Sequence, residues 1–177
     1  MGRAVVTCLD GGKGADRVTG EVENKAGGKS SSGSDACTAA RRAYGGVKRV
    51  AILSPYWPSM NTEVARYFTD KGFGVVRDKC LQCRSWIQIA EQTTDALRKA
   101  LLELDGDDVD AIVQVGTNLS MVRLAAAAAA EVWLGKPIIA INTATSWHGL
   151  RQKGIKDRMD GFGGVVCGFL ECLGGVD

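Results

Sequence analysis

An α/β fold, with a parallel sheet of about four strands and helices on both faces, is predicted by two features of this sequence. Four short apolar runs recur along it: VKRVAIL at 47–53, GVVRD at 74–78, VDAIVQV at 109–115 and IIAI at 138–141. Segments of helical periodicity stand between them. Strands apolar on both faces that alternate with amphipathic helices need cover on both sides, and a parallel sheet with crossover helices supplies it. At 177 residues the chain is long enough for one such domain with a sizeable core.

The elements follow in order. Residues 11–33 are rich in Gly, Lys and Ser and hold only two apolar β-branched residues. So poor a segment cannot bury enough surface to offset its ordering entropy, and residues 1–33 are expected to form a flexible, disordered leader. The globular pattern starts at Ser34 and gives a single lobe over 34–177. Ser34 and Asp35 can cap a helix over 36–44, which Gly45 and Gly46 end. After the first strand, SPYWP at 54–58 is a loop, because two prolines break regular structure. Ser59 is expected to cap the next helix, whose Met60, Val64, Tyr67 and Phe68 share one face and which Gly72 stops.

Beyond the second strand, helical periodicity runs from Trp86 to Leu104, with Ile89 or Ala90, Leu97, Leu101 and Leu104 facing inward. The third strand is followed by an alanine-dominated helix over 119–133, predicted on propensity alone. The fourth strand leads to a helix over 143–153 that ends at Gly154. This β-α-β-α-β-α-β-α order is that of a flavodoxin-like lobe. In such sheets ligands sit beyond the carboxyl ends of the strands. The loops there, 54–61, 116–120 and 142–147, all carry hydroxyl or amide side chains.

A net charge of +2 gives no reason to expect nucleic acid or a membrane surface as partner. No apolar run approaches the length of a bilayer span. The N-terminus lacks the apolar core of an export signal, and Val6 sits where a myristoylation signal wants Ser or Thr. The six cysteines (Cys8, Cys37, Cys80, Cys83, Cys167 and Cys172) are therefore expected as reduced thiols in a cytoplasmic protein.

The stretch AIVQVGTNLSMV at 111–122 is a strand that ends on Gly116, Thr117 and Asn118. A glycine lets the backbone approach a ligand, and a following helix start favours a carboxylate or phosphate. An ordinary turn capped by Thr117 or Asn118 is the competing reading. Neither GxxxxGK[ST] nor GxGxxG occurs here, so this is not a nucleotide loop. The hydroxyl of Tyr56 and the amide of Asn61 could donate to a substrate oxygen. CLQC at 80–83 is a lone CxxC and reads as two thiols in or near a βα loop, since a zinc site needs a second pair. His148, the sole histidine, reads as structural, and DGDD at 105–108 as a solvated turn that lacks calcium-loop spacing.

The runs VAILSPYWPSMNTEV, DDVDAIVQVGTNLSMVRL and WLGKPIIAINTATSWHGLRQKGI resemble the aspartate/glutamate racemase superfamily, in its maleate isomerase and arylmalonate decarboxylase branch. The resemblance covers residues 34–165. It implies an enzyme of two similar α/β lobes with the site between them, needing no metal and no organic cofactor. It also implies a thiol that handles a proton at carbon or attacks a double bond. Tyr56 matches the family's loop tyrosine that donates to substrate oxygen, and Asn61 the asparagine that helps hold a carboxylate. Gly116 and Thr117 match the backbone and hydroxyl donors of the second lobe. The second-lobe cysteine falls at Val115, which can neither ionise nor attack. The matching region is the C-terminal lobe, and the N-terminal lobe finds no counterpart in residues 1–33; Cys8 and Cys37 lie outside the matching motifs.

Three readings follow. The first is a cofactor-independent isomerase or racemase acting on a small carboxylate, with an arylmalonate-decarboxylase-like lyase as its neighbour. The second is a non-catalytic carboxylate-binding or pseudo-enzyme lobe. The third is a flavodoxin-like domain with an unrelated role. A lone lobe would expose an apolar cleft face, so self-association, or pairing with a missing N-terminal lobe, is expected.

Overall fold

The structure, a computed structural model, describes residues 11–121 and 129–169. Four strands, β1 (Arg49–Ser54), β2 (Gly74–Cys80), β3 (Ala111–Gln114) and β4 (Ile138–Ala140), form one sheet in the order β2-β1-β3-β4. Every pairing is parallel. The helices are α1 (Gly11–Ala26), α2 (Gly33–Tyr44), α3 (Pro58–Asp70), α4 (Trp86–Ala90), α5 (Thr94–Leu104), α6 (Ala129–Leu134), α7 (Ile141–Gln152) and α8 (Gly164–Gly168).

Alternation along the strands sends side chains to opposite faces. Val50, Ile52, Val113 and Ile139 pack with α2, α3, α7 and α8, around Tyr67, Phe68 and the fully buried Trp147. Ala51, Leu53, Ile112, Ile138 and Ala140 pack on the other side with Ile89, Leu97, Leu101 and Leu104 of α4 and α5. The predicted sheet covered on both faces is therefore the observed one.

Strand order matters for the site. The chain leaves β1 for β2 on one side, then returns past β1 to β3 on the other. Such a reversal opens a crevice at the carboxyl ends of the two central strands. Here that places the loop after β1 beside the turn after β3.

Several local expectations are corrected. Pro58 itself opens α3 and Trp57 occupies the cap position, not Ser59, because proline's fixed φ and missing N–H suit a first helical residue. The helix expected over 86–104 is two, since Ser85 and Thr93 each cap a new start; Ile89 is buried and Ala90 exposed. Leu119–Met121 are not helical, residues 122–128 lie outside the described residues, and α6 is described from Ala129. The helix expected over 143–153 begins at Ile141.

Residues 1–10 of the expected leader also lie outside the described residues, but Gly11–Ala26 is helical. Composition misjudged this segment because it counts large apolar side chains. Gly11, Gly12, Gly14 and Ala15 are buried, and such small residues let α1 approach α3 closely. The Gly12 N–H donates to Asp70 at 2.9 Å and Lys71 pairs with Asp16 at 2.6 Å.

His148 sits within α7, its Nδ1 2.6 Å from the Ser31 hydroxyl. Burial holds its pKa below the ordinary histidine value. The folded state then resists protonation while the unfolded chain accepts it. Its stabilising contribution is complete above the ordinary pKa and is lost as pH falls below it toward the lowered folded value. Chemical denaturation from pH 7.5 to 5.5 should show stability falling, and His148→Gln should flatten that slope.

Candidate active site

β1 ends at Ser54, and Pro55 and Tyr56 run on beside the turn that leaves β3. Gly116 in that turn has φ of +94°, and a Cβ there would meet the Pro55 ring at 2.6 Å and lie 3.6 Å from the Tyr56 hydroxyl. The two loops are thus in contact, with the phenol against the Gly116 backbone. Gln114 secures the turn: its Nε2 donates to the carbonyls of Val115 and Gly116, at 2.6 and 3.0 Å. Val115 is buried with Tyr56 packed against its cluster, so the expected thiol position is part of the apolar core.

The predicted donors are only partly gathered here. Asn61 is buried in α3 and its Nδ2 is bonded to Asp78 Oδ2. Thr117 is exposed, and its carbonyl accepts from Asn142 Nδ2 at 2.8 Å. Asn118 is exposed and its Nδ2 donates to the Trp86 carbonyl at 2.6 Å, so this amide is engaged in holding α4. Because residues 117–121 are not helical, no helix start lies directly behind Gly116 among the described residues.

Among the described residues, two of the helix starts at this edge are those of α3 and α7. Both begin at the carboxyl end of a strand, and neither has a side-chain cap bond. First-turn N–H groups generally lack a partner within their own helix; in α3 Pro58 has no N–H and the Met60 N–H donates to the Trp57 carbonyl at 3.0 Å, so α7 offers the fuller set. Three buried side chains at the same edge leave a polar atom without a hydrogen-bond partner: Asn61 Oδ1, Gln114 Oε1 and Thr143 Oγ1. Buried polar atoms are rarely left so, and the clustering of these three at one edge of the sheet makes that edge the candidate site.

Sequence reasoning missed part of this constellation. Ser54 and Cys80 are register partners at the ends of β1 and β2. The Cys80 thiol lies 3.6 Å from Asp78 Oδ2, and the Ser54 hydroxyl bonds the same thiol. Burial, then the Asp78 charge, push the Cys80 thiol up, and Ser54 opposes them. Burial also raises Cys83, which packs in the opposite cluster against α5. The two thiols of CLQC therefore serve different faces of the sheet and both are free. Polar residues closing otherwise apolar strands, Ser54 and Gln114, were the available signal.

A groove of about 460 Å³ lies elsewhere, between α1 and α3, lined by Gly12, Lys13, Asp16, Arg66, Asp70 and Lys71. It is at the far end of α3 from the strand-end loops. Among the described residues no helix is long and apolar enough to cross a membrane.

Comparison with known proteins fits this geometry. The arylmalonate decarboxylase family matches residues 7–166, so the match reaches well into the segment expected to be a leader. The maleate isomerase of Pseudomonas putida is 26% identical over 121 residues, 68% of this chain and 48% of that protein. This chain thus spans about half the length of the curated relatives it matches. The structure of the maleate isomerase Iso from Pseudomonas putida S16 superposes with a TM-score of 0.80 at 25% identity, over 93% of this chain and 67% of that one. An arylmalonate decarboxylase structure superposes with a TM-score of 0.81 at 21% identity, over 90% of this chain and 72% of that one. The chain belongs to the arylmalonate decarboxylase family, in the branch shared with the maleate isomerases.

Proposed function

We propose that this chain holds a small carboxylate at the C-terminal edge of its sheet and performs cofactor-independent isomerase- or racemase-type chemistry on it, as a maleate isomerase does. The observation that carries this reading is the pair of uncapped helix starts, α3 and α7, flanking the Gly116 turn. An anion complements such N–H groups and the helix dipoles behind them. The buried Thr143 hydroxyl and the Tyr56 phenol add two donors beside them. Donors fixed where charge develops stabilise the enolate-like species formed when a proton leaves the carbon next to a carboxylate.

Calorimetric titration with succinate and maleate tests the pocket. Tyr56→Phe and Thr143→Val should each weaken binding by about tenfold, the value of one hydrogen bond in a buried site. Absence of binding by the unaltered chain would overturn the reading.

Val115 favours a second reading, a non-catalytic carboxylate-binding lobe, because valine stands where the family resemblance places a thiol. The family match favours a third, an arylmalonate-decarboxylase-like lyase using the same pocket. Deuterium exchange at the α-carbon of small dicarboxylates, compared between this chain and Val115→Cys, separates the first two. Exchange by the unaltered chain supports isomerase-type chemistry, and exchange by Val115→Cys alone, or by neither with the pocket occupied, leaves the binding lobe.

The site edge also carries Trp57, Trp86 and Ile87, exposed by 47%, 45% and 69%. Apolar surface gathered at one edge favours association. Sedimentation should show self-association that a Trp86→Ser, Ile87→Ser double variant weakens. A clean monomer at high concentration would contradict it.

A further inference from the structure

We propose that Cys80 is the thiol that exchanges a proton with the substrate in this site, with Asp78 as its proton partner and Ser54 and Asn61 as the groups that position the pair. The proposal rests on the carboxylate-pocket reading above and names a reacting group for it.

The placement comes from the sheet. Alternation puts Asp78 and Cys80 on the face of β2 that packs α3, and their register partners are Ile52 and Ser54 of β1. Ser54 is fully buried, and its oxygen accepts the Tyr56 N–H at 3.3 Å, so it joins the thiol to the loop that carries the phenol. Asp78 Oδ2 takes both the Asn61 amide and the Cys80 thiol. Asn61 is 2% exposed, and its Oδ1 has no hydrogen-bond partner. A buried amide oxygen left open beside a thiol–carboxylate pair indicates that something else completes the cluster, because such an atom costs stability unless a bound molecule satisfies it. Cys80 itself is half-exposed and can be reached.

The step balances within these groups. Asp78 accepts the proton from Cys80 Sγ. The thiolate takes the proton on the carbon next to the bound carboxylate, so the C–H bond breaks and an S–H bond forms. The C–H electron pair passes into the carboxylate as an enediolate, held by the donors at the helix starts, and return of the proton reverses each transfer. Ser54 donates to the thiolate while it exists. A thiol raised above its ordinary pKa is protonated at neutral pH, which suits a group that must return a proton to carbon and draw on a neighbouring base to lose its own.

The experiment uses the full chain. Cys80 is alkylated with iodoacetate and with iodoacetamide, with and without succinate, and located by peptide mass mapping. Succinate should slow carboxymethylation of Cys80 at least tenfold. Cys80→Ser should abolish α-carbon deuterium exchange while leaving calorimetric succinate binding in place, and Cys83→Ala should leave exchange unchanged. Asp78→Asn should lower exchange at least tenfold and move its pH profile. Unchanged labelling of Cys80 under saturating succinate overturns the proposal, as does exchange that survives Cys80→Ser or is absent from the unaltered chain. Succinate binding without protection of Cys80 removes the proposal and leaves the pocket reading standing. Absence of succinate binding removes both. The protection measurement needs no variant, so a misfolded substitution does not decide the outcome.

Discussion

Arg151→Leu is expected to destabilise the domain by about 3 kcal/mol, because it removes a buried guanidinium and its four charge-assisted hydrogen bonds, one of them to the buried Val166 carbonyl. Arg151 is 7% exposed at the end of α7. Its guanidinium donates to the carbonyls of Phe169 at 2.9 Å, Ile155 at 2.8 Å, Asp157 at 3.0 Å and Val166 at 3.3 Å. The five donors of a planar guanidinium can serve four acceptors in different directions, and no smaller side chain can. Arg151 thus ties the 155–169 segment, with α8, to the end of α7. Trp147 reinforces the tie by donating its indole N–H to the same Phe169 carbonyl at 2.9 Å. Urea denaturation should show a lower midpoint for Arg151→Leu, and Arg151→Lys should recover only part of the loss. A midpoint unchanged by Arg151→Leu would mean that the C-terminal segment contributes nothing to the cooperative unit.

Gly116→Ala is expected to cost about 2 kcal/mol or more and to abolish carboxylate binding. Two penalties coincide at this position. With φ of +94° the backbone adopts a conformation that L side chains rarely take, and the new Cβ would lie 2.6 Å from the Pro55 ring. Neither partner can yield cheaply, since the proline ring is rigid and Gln114 holds the carbonyls of the turn. The relief available is to push the β1 and β3 loops apart, which moves Tyr56 off the turn. Calorimetry with succinate and thermal denaturation read the two losses separately. Gly116→Ala that binds succinate as the unaltered chain does would place the ligand elsewhere.

Much of the architecture was legible from residue pattern. The apolar runs around Val50–Leu53, Ala111–Val113 and Ile138–Ile139 announced strands buried on both faces. The spacing of Val64, Tyr67 and Phe68, and of Leu97, Leu101 and Leu104, announced the helices that cover them. The loops that could bear a site were legible too, because parallel topology sends ligands to one edge. The N-terminal helix was not legible, since its burial rests on small residues and on polar contacts to Asp70 and Lys71, which are distant in sequence. Ser31 on His148 and the carbonyls on Arg151 were hidden for the same reason.

What the sequence determined by itself is the class of fold and the sheet edge whose loops carry Tyr56 and Gly116, the edge proposed here for a ligand. Local propensity and periodicity, which act over a few residues, decide the fold class and the edge, and the family resemblance points to Tyr56 and Gly116. The tertiary structure alone decided which polar groups are engaged and which are open. It committed the Asn118 amide to Trp86 and that of Asn61 to Asp78. It sent Cys83 into one core and set Cys80 beside Asp78 and Ser54 on the other face. Strand register and helix packing make those assignments, and a difference of one residue in register would reverse them.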